Sequence, residues 1–205
     1  MRKSGLMLSI MLLCAAPSLF AGISVRTGLL LPQGDFKDYA GKAWSAEIVA
    51  DVSPFSVPFL SVPVMVNVAG FGEKQTDWLG APETGPATFA QTSSLTLTGG
   101  GVGLKLEPAI PGIKPFVEVF GRLASIEQDY HSGIPDAGNK IESKTKFGYQ
   151  IDGGLKYSLV PTASLLVGAS YVTFLKASLI AEEQTAEIDA TMIGVFVGIS
   201  FSVGW

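Results

Sequence analysis

The chain has 205 residues, 14 of them basic and 18 acidic, with one histidine, one cysteine and a formal net charge of −4. An acidic chain without a basic run is a poor fit to nucleic acid, and a lone cysteine excludes an internal disulfide. Mean hydropathy is high at +0.39, yet nothing beyond residue 21 forms the run of roughly 18 apolar residues that a transmembrane helix needs.

Residues 1–21 have the pattern of a secretory signal. Arg2 and Lys3 form a positive start, Leu6 to Ala16 an apolar centre, and Ala21 a small residue at the expected cut. Cys14 lies inside this segment, and the preceding Met11-Leu12-Leu13 lacks the small residues that lipid attachment requires. One domain, 22–205, remains. Without Arg2 and Lys3 it keeps 12 basic residues against 18 acidic ones, a net charge of −6.

Eight strands can be placed along that domain from period-two alternation, which marks a strand with two different environments. The first, Ile23 to Leu31, sets Ile23, Val25, Thr27 and Leu29 against Ser24, Arg26 and Gly28. The second, Trp44 to Val52, sets Trp44, Ala46 and Ile48 against Ser45, Glu47 and Asp51. In the third, Val62 to Gly72, Val64, Val66 and Val68 oppose Met65 and Asn67. The fourth, Ser94 to Leu106, changes apolar parity across Gly99-Gly100-Gly101, which predicts a β-bulge there. The fifth, Lys114 to Gln128, sets Val117, Val119 and Leu123 against Glu118, Phe120 and Arg122. The sixth sets Phe147, Tyr149, Ile151, Leu155 and Tyr157 against Lys146, Gln150, Asp152 and Lys156. The seventh runs from Ser164 to Ile180. The last, Met192 to Trp205, places Ile193, Val195, Val197, Ile199, Phe201, Val203 and Trp205 on one face and mostly glycine and serine on the other.

The connections alternate in length. Residues 32–43, 73–93, 129–143 and 181–187 form the longer set, and 53–60, 107–113 and 160–163 the shorter. Short turns at one end and long loops at the other, with an even strand number, characterise membrane barrels. Capacity decides which face points inward. Each strand supplies roughly three to five bulky apolar residues, too many for an eight-stranded interior that side chains just fill. The apolar face therefore points out, and the lumen is expected to hold a balanced network of Arg26, Glu47, Asp51, Lys105, Glu118, Arg122, Lys146, Asp152 and Lys156. Aromatic belts are expected from Trp44, Phe71, Phe147 and Tyr149 near the long loops, and from Phe59, Tyr157 and Trp205 near the short turns.

The closing strand with its terminal aromatic, and the segment Gly28…Pro32-Gln33-Gly34-Asp35-Phe36…Tyr39…Gly41, resemble the small outer-membrane β-barrel family that includes the OmpA transmembrane domain and OmpX. The resemblance implies an all-β, eight-stranded antiparallel up-and-down transmembrane barrel in the outer membrane of a Gram-negative-type bacterium. It also implies that Phe201, Val203 and Trp205 form the signal read by the barrel assembly machinery, with Trp205 where the family usually has Phe. Outer-membrane lipid and lipopolysaccharide are the implied surroundings. Because the chain stops at Trp205, no peptidoglycan-binding domain of the OmpA type is expected.

The expected function is structural or surface-interacting, with a plugged lumen and any ligand contacts in the four longer loops, whose acidic residues also suit divalent cations. A narrow channel for small or hydrophobic solutes is the alternative, with Gly99–Gly101 or Gly153-Gly154 as openings. A lipid-modifying enzyme is a third. His131 is the sole histidine, and its neighbour Ser132 points to the opposite face of a strand, a poor catalytic dyad. The sequence contains no metal-ligand cluster, phosphate loop or nucleophile motif, and no cofactor is expected.

Overall fold

The computed structural model describes residues 20–53, 57, 59–80, 87–108, 110, 112–132, 138–142, 145–181 and 184–202. Most of the segment expected to be a secretory signal, residues 1–19, lies outside the described residues, as do Val203 and Trp205 of the expected terminal motif. The elements are β1 (Phe20–Gln33), α1 (Phe36–Tyr39), β2 (Ala43–Val52), β3 (Leu60–Gly80), β4 (Ala87–Leu106), β5 (Ile113–Ser132), β6 (Gly138–Glu142), β7 (Lys146–Val160), β8 (Ala163–Ala181) and β9 (Gln184–Ser202).

Eight long strands pair with their neighbours in the ring β1-β2-β3-β4-β5-β7-β8-β9, every pair antiparallel, and β1 pairs with β9 to close it. Short β6 adds only to the outer end of β5. Closure leaves no open edge around the wall, which hydrocarbon requires because it offers backbone groups no other partner.

The stagger follows from the register. From Arg26, pairing leads one way through Glu47, Asn67, Gly99 and Ala124 to Lys146, and the other way through Gly198 and Leu166 to Lys156, ten residues further along β7. That offset tilts the strands at roughly the 35–45° usual for closed barrels.

The outer surface is apolar. Val66, Val102, Val119, Leu155, Val167, Val195 and Val197 are all about half exposed. On β7 the belt runs from Phe147 to Tyr157; at about 3.3 Å per residue and a tilt near 40° this spans about 25 Å, the height of the apolar band of a membrane barrel. Trp44, Phe147, Tyr149, Phe59 and Tyr157 point outward at its ends. Phe71 does not: it is 5 % exposed, faces inward and packs edge-to-face on Phe36 of α1 at 5.5 Å. Its neighbours Gly70 and Gly72 offer no side chain against which its facing can be judged.

Two further expectations are corrected. There is no bulge at Gly99–Gly101, because the pairing of β4 with β3 runs unbroken from Leu95 to Val102 and that with β5 from Gln91 to Leu106. Leu95 and Leu97 point inward and are 1 % exposed, whereas Val102 and Leu104 point outward. The parity change marks a change in what fills the lumen, not in which way the strand faces. Apart from register shifts at Phe20/Gly22 and Ser158/Val160 near the turn ends, the bulges lie instead between Phe71 and Lys74 and between Phe174 and Ala177. At the second, Lys176 has φ 53° and donates its N–H to Asp189 Oδ1 at 3.1 Å.

Three of the four longer loops are also largely strand among the described residues. Within 73–93, β3 and β4 continue as a hairpin with Lys74–Gly80 paired to Ala87–Ser93. Residues 138–142 of the third loop form β6, and the fourth is largely the end of the β8–β9 hairpin. These segments are polar at both parities and so lack alternation, although Thr76, Trp78, Thr88, Phe89 and Thr92 favour strands.

Candidate functional site

The candidate site is the lumen, which has three zones along the barrel axis. Near the long loops it is apolar: Leu30, Phe36, Ala69, Phe71, Leu95, Leu97, Ile126, Val172, Phe174 and Met192 form one buried cluster. Phe36 reaches it because α1 folds into the β1–β2 connection, where the N–H of Ala40 bonds to the carbonyl of Phe36 at 3.1 Å.

The middle zone is ionic. Arg26 on β1 extends to β5, four strands away around the ring and so on the opposite wall. Its Nη1 and Nη2 donate to Glu118 Oε2 and Oε1 at 2.7 and 2.8 Å, and Nη1 also reaches Asp152 Oδ2 at 3.2 Å. This two-point geometry is the strong form of an arginine–carboxylate pair. Its guanidinium lies 5.7 and 5.2 Å from the ring centres of Phe116 and Phe196, and such faces favour a cation. Small neighbours make room for these rings: a Cβ on Gly168 would lie 2.5 Å from Phe196 Cζ.

Arg122 takes a different course. Its Nη1 donates to Gln150 Oε1 and its Nη2 to Asn67 Oδ1, and its guanidinium sits 5.0 Å from the centre of Phe174. Gln150 Nε2 then donates to Asp152 Oδ2 and Oδ1 at 2.8 and 2.9 Å, and more weakly to Glu47 Oε1 at 3.4 Å. The amide relays Arg122 to two carboxylates it does not touch. The Gln150–Glu47 contact again joins opposite walls, β7 and β2.

At the turn end, Lys105 Nζ lies 2.9 Å from Asp51 Oδ2, 3.1 Å from Glu107 Oε2 and 3.3 Å from Glu118 Oε1. Lys156 Nζ is 3.5 Å from Glu107 Oε1. Burial opposes the charge of Glu107, but Lys105 and Lys156 outweigh it and hold this carboxyl below the ordinary carboxylate range.

Of the nine charged residues singled out from the sequence, Arg26, Glu47, Asp51, Lys105, Glu118, Arg122, Asp152 and Lys156 lie in this connected arrangement. Lys146 does not join it. It is half-buried opposite Ala124, with no ion pair among the described residues. Counting charges also missed three participants, Asn67, Gln150 and Glu107. The two amides share the inward parity of their charged neighbours, the signal that could have found them. Glu107 stands just past β4, in what reads as a turn. His131 pairs through its backbone with Thr92 and Gly138. Among the described residues no group of histidine, cysteine and carboxylate side chains could hold a metal.

A closed eight-stranded wall, apolar outside and charged within, is a membrane-spanning β-barrel. Solved structures share the fold. Neisserial surface protein A, from Neisseria, superposes with a TM-score of 0.53 at 15 % identity over 88 % of this chain and 96 % of that one. A major outer membrane protein of Thermus thermophilus does so at 0.51 and 14 %, over 88 % and 98 %. At these identities the likeness is one of fold. No protein-family model matches the chain, and no curated protein matches it by sequence.

Proposed function

We propose that the protein is a closed outer-membrane barrel that acts as a scaffold, with any surface interaction made by its outer hairpins. In this reading it is exported with loss of residues 1–21 and inserted by the barrel assembly machinery through the signal Phe201, Val203 and Trp205. It then sits among outer-membrane lipid and lipopolysaccharide, in a Gram-negative-type envelope. The observation that carries the reading is the cross-lumen bridge from Arg26 to Glu118, 2.7 Å at its closest. A buried, two-point ion pair between opposite walls occupies the space a solute would need, and the apolar cluster stacked above it gives water no polar path. Residues 32–43, 73–93, 129–143 and 181–187 are left as the surfaces available to an extracellular ligand, as is common for loops on rigid scaffolds.

Planar-bilayer recording of the refolded full chain tests this. A silent bilayer is expected, with insertion verified separately by protease protection in vesicles. Stable current steps whose size changes in Lys105→Gln would overturn the closed-lumen reading in favour of a narrow channel.

A further inference from the structure

The turn-side mouth of the barrel holds more positive charge than its acids neutralise. Lys114 on β5 and Lys156 on β7 are directly opposed across the strand pair. Both have the inward parity of Phe116 and Glu118, and like charges so placed repel. The acids nearby are already engaged. Asp51 is 2.9 Å from Lys105, and Glu107 is divided between Lys105 at 3.1 Å and Lys156 at 3.5 Å. Lys114 has no carboxylate within ion-pair range among the described residues.

These groups line a cavity of about 160 Å³, together with Ser61 and Ser202. Its size equals the share of roughly five water molecules in the liquid. Asp51 also lines it. Its side chain is 8 % exposed, and its Oδ1 has no hydrogen-bond partner among the described residues. The cavity thus combines two ammonium groups in need of negative charge with a buried acceptor in need of a donor.

We propose that the turn-side mouth is a binding site for a small oxyanion that carries its own N–H or O–H donor. Hydrogen phosphate, a hydroxycarboxylate and an amino acid all have this chemistry. The oxyanion lies between Lys114 and Lys156 and relieves their repulsion, while the donor meets Asp51 Oδ1. Acetate has the charge without the donor and binds less well. The site does not require a conducting lumen, because its lining lies at the turn ends of the strands.

Amide and lysine side-chain NMR of the full chain, refolded in detergent micelles, tests the site by titration with inorganic phosphate, lactate and acetate at constant ionic strength set by chloride. Expected are saturable shifts at Lys114, Lys156 and Ser61 in the millimolar range, stronger for phosphate and lactate than for acetate. Lys114→Gln should weaken binding about tenfold, the worth of one charge-assisted hydrogen bond, and Lys114→Arg should retain it. Both variants should fold, because Lys114 is only half-buried and outside the ion-pair network, and heat-modified gel mobility checks this. Non-saturating shifts reproduced by chloride, or saturable binding that Lys114→Gln leaves unchanged, would overturn the proposal.

Discussion

Glu118 is the residue on which most of the ionic zone converges, and its neutralisation is the sharpest test of the energetics. Glu118→Gln keeps the size of the side chain but removes the charge that faces Arg26 at 2.7 and 2.8 Å and Lys105 at 3.3 Å. It also turns an amide N–H₂ toward one of those cations. Removing one partner of a buried ion pair costs about 3–5 kcal/mol, because the other charge is left without compensation. Here the lower end applies. Arg26 keeps Asp152 at 3.2 Å and the two phenylalanine faces, and Lys105 keeps Asp51 and Glu107. With a urea slope of roughly 2 kcal/mol per molar, a loss of ~3 kcal/mol lowers the unfolding midpoint by about 1.5 M. The measurement is reversible urea unfolding in lipid vesicles, followed by tryptophan fluorescence. The double variant Arg26→Met with Glu118→Leu should recover part of the loss, since it removes both charges of the pair, although Asp152 then keeps only the hydrogen bonds from Gln150 Nε2. A midpoint within about 0.3 M of the wild type for Glu118→Gln would mean that this pair is solvated, and the closed lumen would lose its main support.

Two other substitutions probe the facing of β4 and the acid response of the mouth. Leu97→Ala should cost about 2–5 kcal/mol in the same unfolding assay, because Leu97 is 1 % exposed within the apolar cluster. Its outward neighbour Thr98 should accept leucine with little change, and the reverse order would restore the bulge that the glycines suggest. Glu107 has a depressed folded-state pKa, so its contribution is present above the ordinary carboxylate range and is lost as pH falls through the lower, folded value. Unfolding midpoints of the wild type and Glu107→Gln should therefore converge as the solution is acidified, and a gap that widens in acid would contradict that sign.

The wall was legible because lipid and lumen impose opposite demands on alternate residues. β1, β7 and the end of β9 show this directly: Ile23, Val25, Tyr149, Ile151, Val197 and Ile199 point out, and Ser24, Arg26, Gln150, Asp152, Gly198 and Ser200 point in. The interior was legible only in its lower half. Arg26, Glu118 and Asp152 declare their facing by being charged, since hydrocarbon would not accept them. Leu95, Leu97, Phe71 and Ile126 could have faced either way by their chemistry alone. An apolar side chain is at home against lipid and equally in a packed lumen, so alternation loses its meaning where both sides are apolar. The amides Asn67 and Gln150, although placed on the inward face, were left out of the expected network for a related reason. They carry no charge to balance, yet they link Arg122 to the acids it never touches.

The change of filling along the axis bears on how the barrel stays shut. Ionic side chains alone form an adjustable seal, because a long arginine or lysine can exchange one carboxylate for another at modest cost. The cluster from Leu95 and Leu97 to Phe174 and Met192 cannot adjust in that way. Opening it would mean exposing packed apolar surface to water, at about 25 cal/mol per Å², and moving Phe36, which α1 wedges into its top. The two zones are therefore barriers in series, and the weaker one does not set the permeability. Loss of the Arg26–Glu118 bridge should destabilise the fold without making the membrane leak. Destabilisation and conduction become separable quantities in this protein, and a Glu118→Gln variant that conducts while remaining folded would show that the apolar zone is not a seal.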